Sequence, residues 1–174
     1  MAEGVQGEYL GMALSIEHLD RENLAYFAAC AEGVFRLQRG HTSGLLRYPP
    51  TTACPWTGDR DYDWVDVEGR GTVHSYGEVH HAIQPAFRAF TPYLVLLVDL
   101  DTQKGVPTEH EALRVAGNLV TPDGVLAPAD QVVRVGIGTR VRMVITPVSE
   151  GLAIPNWTID ETADQPTPWR FLDN

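Results

Sequence analysis

The residues of this chain best equipped for chemistry are His74, Tyr76, Glu78 and His80, within "GTVHSYGEVHHAI" (71–83). At i, i+2, i+4 and i+6 they share one face of an unbroken strand. Histidine, tyrosine and a carboxylate are the groups of general acid–base catalysis, and the same set can hold a metal ion. Same-face neighbours on a strand stand about 6.7 Å apart, too far for direct proton relay but not for a shared ion. Two features favour a plainer role. Gly77 is placed to bulge the strand and break the register, and alternating polar residues are what an antiparallel strand shows on a solvated or interface side. His81 is expected on the opposite face, and His18, His41 and His110 fall in surface or loop segments.

A second stretch, "GHTSGLLRYPPTTACPWTG" (40–58), is built like a metal-binding hairpin, with two short polar, Gly-flanked segments around an apolar–basic one. It contains one cysteine, Cys54, and the chain's other thiol, Cys30, lies beside a helical apolar stripe where burial is expected. Nothing local and cationic is evident to stabilise a Cys54 thiolate, so no reactive role is expected of it. With two cysteines a disulfide framework is excluded, and a cytoplasmic location is the default. The start, "MAEGVQGEYLGMALS", lacks the basic and apolar regions of a secretory leader, and no apolar run has the length of a membrane span.

These residues must be positioned by the elements around them. Residues 1–15 read as a flexible or partner-dependent tail. Asp20 to Ala31 has a helical pattern, with Asp20 as N-cap, Leu24, Phe27, Ala28 and Ala31 as the apolar stripe and Gly33 as the stop. "VFRLQ" and "LLRYPP" flank the Gly40–Gly44 turn as a hairpin. Five strand candidates follow: "YDWVDV" (62–67), 71–83, "PYLVLLVDLD" (92–101), "ALRVAGNLVT" (112–121) and "TRVRMVITPV" (139–148). With turn-rich links and no long helix among them, they predict a mainly β chain: a five-stranded OB-fold barrel. "YLVLLVDL" reads as a central strand apolar on both faces, Gly69 and Gly71 as a tight turn or bulge, and "PADQVVRVG" as one helical turn before the last strand. The expected divisions are a tail and helix (1–33), the hairpin (34–61), the barrel (62–148) and a C-terminal tail (149–174).

A net charge of −10, from 13 basic and 23 acidic residues, argues against nucleic acid as a partner. Lys104 is the only lysine, and Arg134, Arg140 and Arg142 are the densest basic cluster, which leaves room for one small phosphorylated ligand. There is no Gly-rich phosphate loop, nucleophile elbow or helical His-Glu-x-x-His element.

The order of these parts resembles the acyl-CoA-associated OB-fold proteins with an N-terminal zinc ribbon, over residues 18–148. "NLAYFAACAEGVFRLQRG" matches the helix and ribbon entry, "LLRYPPTTACP" the ribbon hairpin, and "VEGRGTVHSYGEVHHAIQPAF" with "TPYLVLLVDLD" the first barrel strands. "RVAGNLV" and "VGIGTRVRMVI" complete the barrel. The resemblance implies a non-catalytic accessory subunit that binds a thiolase-like enzyme, an acyltransferase or an aldolase of steroid side-chain breakdown, and shapes its acyl-CoA channel. The chemistry would belong to the larger subunit.

The resemblance also marks two departures: a longer link from Asp101 to Glu111, and the ribbon itself. The four positions that carry family cysteines read Gly40, Ser43, Cys54 and Thr57. Structural zinc draws about 10–16 kcal/mol from four ligands, so zinc is not expected here, even with His41, Asp59 and Asp61 nearby. Leu45, Leu46, Tyr48 and Trp56 are expected to replace the ion by packing, each large buried side chain stabilising by about 1.5–3 kcal/mol. An ordered, metal-free hairpin is the expected result, and stoichiometric zinc in protein purified without added metal would overturn it.

"QPAFRAFTPY" (84–93) offers Phe87, Phe90 and Tyr93 either as a plug for the barrel end or as a contact for a partner or acyl chain, with Arg88 beside a phosphate or carboxylate. Trp157, in "PNWTID", suits docking on the barrel or on another chain. The contact candidates are Phe87, Arg88, Phe90, Tyr93, Tyr48, Trp56, His80 and Trp157, with acyl-CoA as a ligand shared with the partner and no other cofactor. Two rivals stand beside this reading. One is a stand-alone acyl-CoA lyase or hydrolase using His74, Tyr76, Glu78 and His80. The other is a single-strand-binding OB module, which would need a basic groove with stacking aromatics.

Overall fold

The computed structural model describes residues 5–16 and 19–171, which form two compact units. The first comprises the chain through Glu68, with Gln103–Leu113 and Ile145–Ile154; the second comprises Gly69–Thr102, Arg114–Val144 and the chain from Pro155 on.

The first unit opens with a hairpin, β1 (Val5–Tyr9) against β2 (Met12–Ile16), where a tail was expected. Leu10 and Gly11 join the strands with φ of 51° and 77°, the two left-handed residues of a tight hairpin turn. Next comes α1 (Arg21–Ala31), capped as its sequence dictates: the Asp20 carboxylate accepts from Asn23 N at 2.7 Å, and Gly33, at φ 80°, ends it. The buried face is Glu22, Tyr26, Ala29 and Cys30, rotated from the expected stripe; Ala28 and Ala31 are exposed. A three-stranded antiparallel sheet follows, in the order β4 (Leu46–Arg47), β3 (Arg36–Gly40), β5 (Tyr62–Asp66). Thus 62–66 is not the first barrel strand. It pairs Arg36 with Asp66 and Gly40 with Tyr62, completing the ribbon sheet. Gln103, in the long link, closes the free edge of β4 with its amide: Nε2 donates to Leu46 O at 2.8 Å, and Oε1 accepts from Leu46 N at 2.6 Å.

The barrel is a five-stranded sheet of β6 (Arg70–Val79), β7 (Tyr93–Leu100), β8 (Arg114–Asn118), β9 (Arg140–Ser149) and β10 (Leu152–Ile159) in the order β10-β9-β6-β7-β8. One parallel bridge, Leu119 to Trp157, closes it, with Val120 N donating to Trp157 O at 2.7 Å. A short helix, α2 (Ala129–Val132), sits between β8 and β9, as the helical turn in the sequence predicts. Trp157 is not a surface docking residue: it is fully buried, on a strand assigned from sequence to the tail. Val73, Leu94, Leu96, Val98, Leu100, Val115, Leu119 and Val141 are buried with it. β7 turns only one face inward, burying Leu94, Leu96, Val98 and Leu100 while Val95 is exposed. Its uninterrupted apolar run therefore does not mean burial on both sides. Gly71 and Gly117 are small because backbone passes over them. A Cβ on Gly71 would lie 2.3 Å from Asp99 O, and one on Gly117 would lie 3.0 Å from Trp157 Cδ1.

Candidate functional site

Two places carry the singled-out residues. In the first unit, Gly40 to Gly44 and Cys54 to Gly58 are two copies of one turn. In each, the closing glycine's N–H donates to the first residue's carbonyl at 2.8 Å, and that glycine has positive φ (68° and 72°). The copies face each other, so the four family metal positions converge. A Cβ added to Gly40 would lie 2.9 Å from Ser43 Oγ and 3.7 Å from Cys54 Sγ. Cys54 Sγ and Ser43 Oγ are 3.7 Å apart. The two turns are present without metal donors: one thiol, two hydroxyls and a hydrogen do not make a tetrahedral zinc site. The neighbouring donors are engaged elsewhere. His41 Nε2 is 3.1 Å from Asp63, and the Asp59 carboxylate is held by Thr42 and by Asp61 N. No group of three or more metal-ligating side chains occurs among the described residues.

The two thiols are opposites in character. Burial pushes Cys30 up to about 11. Burial also opposes the Cys54 thiolate, but hydrogen bonds from the Thr57 hydroxyl, the Trp56 N–H and the Ser43 hydroxyl outweigh it and lower Cys54 to about 7. Leu46 is buried and Tyr48 packs edge-on against Tyr26 at 6.1 Å, whereas Trp56 is 46% exposed and covers little.

In the second unit the acid–base face does not survive as a row. β6 bulges at His74, not Gly77: Val73 pairs with Val98 and Ser75 with Leu97, so His74 is the extra residue. Its Nδ1 lies 3.2 Å from Asp99, which also accepts from Arg114 Nε at 2.9 Å. Tyr76, Glu78 and His80 do come together, in a groove of about 390 Å³ with Ser75, Ile137, Trp169 and Phe171. His80 Nε2 is 3.4 Å from Glu78.

The C-terminal segment builds the other wall of this groove. Trp169 pairs with Ile137 through two backbone hydrogen bonds of 2.9 Å, across Gly136, where a Cβ would lie 2.3 Å from Trp169 O. Arg170 then reaches inward, donating to Val132 O at 2.7 Å, to Val135 O and to Glu78, with its guanidinium 5.4 Å from the Tyr76 ring centre. Phe171 N donates to Tyr76 Oη at 3.0 Å. Glu78 is thus engaged by a guanidinium on one side and flanked by imidazole on the other. We expect Arg170→Ala to release this strap at a cost of about 2 kcal/mol, the scale of hydrogen bonds to a charged group. A lowered denaturant midpoint at unchanged slope would show it. Sequence reasoning missed Trp169, Arg170 and Phe171, although "PWRF" in an acidic, Pro-rich segment is the signal that could have found them.

The 84–93 loop is a 3-10 turn, Pro85–Phe90, with no buried residue. Phe87 stacks on Tyr93 at 5.3 Å, both half-buried, while Arg88 is exposed and Phe90 half-buried. The loop lies on the surface and does not plug the barrel.

Comparison with known proteins agrees with this architecture. The family described as ChsH2, C-terminal OB-fold domain, matches residues 64–146. A solved structure of the Ltp2-ChsH2(DUF35) aldolase superposes with a TM-score of 0.63 at 30% identity, covering 81% of this chain and 96% of that one. A protein of Thermomonospora curvata named probable enoyl-CoA hydratase alpha subunit is 36% identical over 102 residues, which is 59% of this chain but 28% of that relative's length. No helix among the described residues is long and apolar enough to cross a membrane. The helix, ribbon sheet and closed barrel, together with these matches, show that the chain belongs to the ChsH2-type OB-fold family.

Proposed function

We propose that this chain is a non-catalytic accessory subunit that docks on a thiolase-like acyl-CoA enzyme and completes its acyl-CoA channel, the steroid class of thioester being the one the family resemblance suggests. The observation that carries the reading is the bare apolar wall of the barrel groove. Ile137, Trp169 and Phe171 are 38%, 58% and 72% exposed around a groove whose one carboxylate among the described residues, Glu78, is engaged by Arg170. Tryptophan and its apolar neighbours held on a rigid backbone are what interface hot spots are made of. The barrel core is filled by Trp157 and its neighbours, so an acyl group finds room on the surface and not inside. Phe87, Tyr93 and exposed Ile83 offer further apolar surface on the same unit.

The solved relative's name couples ChsH2(DUF35) with an aldolase, and the curated relative's name is that of an acyl-CoA enzyme subunit. The first supports an enzyme partner and the second an acyl-CoA setting. The test is co-expression with a panel of thiolase-like acyl-CoA enzymes from the same genome. A stable complex is expected, weakened about 30-fold or more by Trp169→Ala, since a hot-spot truncation costs about 2 kcal/mol or more. A well-behaved monomer indifferent to such proteins, or acyl-CoA turnover by this chain alone that His80→Ala abolishes, would overturn it.

A further inference from the structure

The ribbon keeps its shape without its donors, and the reason lies in a residue that the spacing of the hairpin did not single out. Arg47, on β4, is 2% exposed. Its Nε donates to Gln38 Oε1 at 2.9 Å and its Nη2 to Thr51 O at 3.0 Å, while Tyr62 lies under the guanidinium at 4.9 Å. Nη1 is buried and has no hydrogen-bond partner. It points at the centre between the two turns: a Cβ on Gly40 would lie 3.9 Å from Nη1, 3.7 Å from Cys54 Sγ and 2.9 Å from Ser43 Oγ. An arginine is charged at every working pH, and taking a cation this far from water is costly unless the surroundings compensate it. No carboxylate forms an ion pair with it among the described residues; a carbonyl oxygen, an amide oxygen and an aromatic face meet it instead.

We propose that the Arg47 guanidinium stands in for the metal ion, an internal cation that organises the two Gly-closed turns in its place. The substitution is geometrically economical. A Cβ at position 40 would meet the guanidinium only at ordinary contact, 3.9 Å from Nη1, and would press instead on Ser43 Oγ at 2.9 Å, so glycine keeps this space free of a longer side chain. The cation is covalently supplied, so the ribbon folds independently of any ion. The expectation of replacement by apolar packing is correspondingly narrowed: Leu46 and Tyr48 contribute, Trp56 does not.

Two measurements test this, neither depending on a partner or on activity. Protein purified without added metal should carry no stoichiometric zinc, and a strong chelator should leave its unfolding midpoint unchanged; stoichiometric metal, or a chelator-induced drop, overturns the proposal. In the Gly40→Cys, Ser43→Cys, Thr57→Cys chain, which restores four thiols, the guanidinium should compete with the ion. Adding Arg47→Met should then tighten zinc binding by about tenfold or more, through loss of like-charge repulsion. Equal zinc affinity with and without Arg47 overturns the proposal. Zinc can fold the restored ribbon in either background, so this arm remains readable if Arg47→Met alone does not fold.

Discussion

Trp157→Ala is expected to cost about 3–5 kcal/mol, the range for emptying a buried aromatic site, which is enough to unfold a domain of ordinary stability. Trp157 is fully buried on β10, and its own backbone makes the parallel bridge to Leu119 that shuts the barrel. Gly117 cannot fill the space without backbone movement, because Pro155 O already lies 2.9 Å from where its Cβ would be. The indole Nε1 has no hydrogen-bond partner, so Trp157→Phe, which keeps most of the apolar volume and removes an orphan donor, should cost much less than Trp157→Ala. Denaturant unfolding of the two variants checks both statements. An alanine variant within about 1 kcal/mol of the parent, the size of an ordinary point substitution, would show that the seam is not held by this side chain.

The second large effect lies three residues further on. Asp160 is fully buried; it accepts from Thr162 Oγ1 at 2.6 Å, from Thr162 N at 3.1 Å and from Arg70 Nη1 at 2.6 Å. The Thr162 hydrogen bonds first, then Arg70 and Arg142, hold this carboxyl below its ordinary value of 3.8. Asp160→Ala should cost about 2–3 kcal/mol, discounted from a fully buried pair because Arg70 is partly exposed. The sign of the pH dependence follows from the depressed value. The stabilisation is complete above pH 3.8 and is lost as pH falls through the lower folded value. Asp160→Asn should remove that part of the acid sensitivity, so the parent and variant unfolding curves should converge at the acid end. Curves that stay parallel to the lowest pH would refute the linkage.

Trp157 lies on β10 and Asp160 directly after it, and this is the element that the sequence concealed. Strand reasoning looks for alternation and for the absence of proline, and "LAIPNWTI" offers neither. Its polar positions are buried: Asn156 and Thr158 both lie inside, and Asn156 Oδ1 accepts from Asn118 N at 2.9 Å. Nothing in a one-dimensional pattern signals that. The first hairpin was hidden for a related reason, since Leu10-Gly11 is not a turn pair that composition advertises. In contrast, α1 announces itself through Asp20 and Gly33, and β6 to β9 fall where their apolar residues and turns put them. Assigning 62–66 to the barrel kept the strand count at five while hiding an exchange: β5 went to the ribbon and β10 was owed to the barrel.

The sites divide along the same line. Gly40, Ser43, Cys54 and Thr57 were legible through the family resemblance, and Gly44 and Gly58 fix the turns that hold them. Arg170 was not, because it acts through a fold that brings distant groups to it, and Arg47 was not, because nothing in the pattern marks an arginine as buried. The Cys54 thiol is lowered by hydrogen bonds from Thr57, Trp56 and Ser43, a local source of stabilisation other than a cation.

The parallel seam between β8 and β10 also sets an order of events at the ribosome. β6, β7, β8 and β9 can emerge and pair while the side of Leu119 and Val120 that meets Trp157 is still open, because β10 is made last among the barrel elements. Until Ile159 has left the exit tunnel the nascent chain carries an open strand edge beside a bare apolar lining, the kind of intermediate that recruits chaperones or sticks to its neighbours. A gene fragment cut after residue 148 would make that intermediate permanent, and its fate in expression would be inclusion bodies, not a smaller barrel.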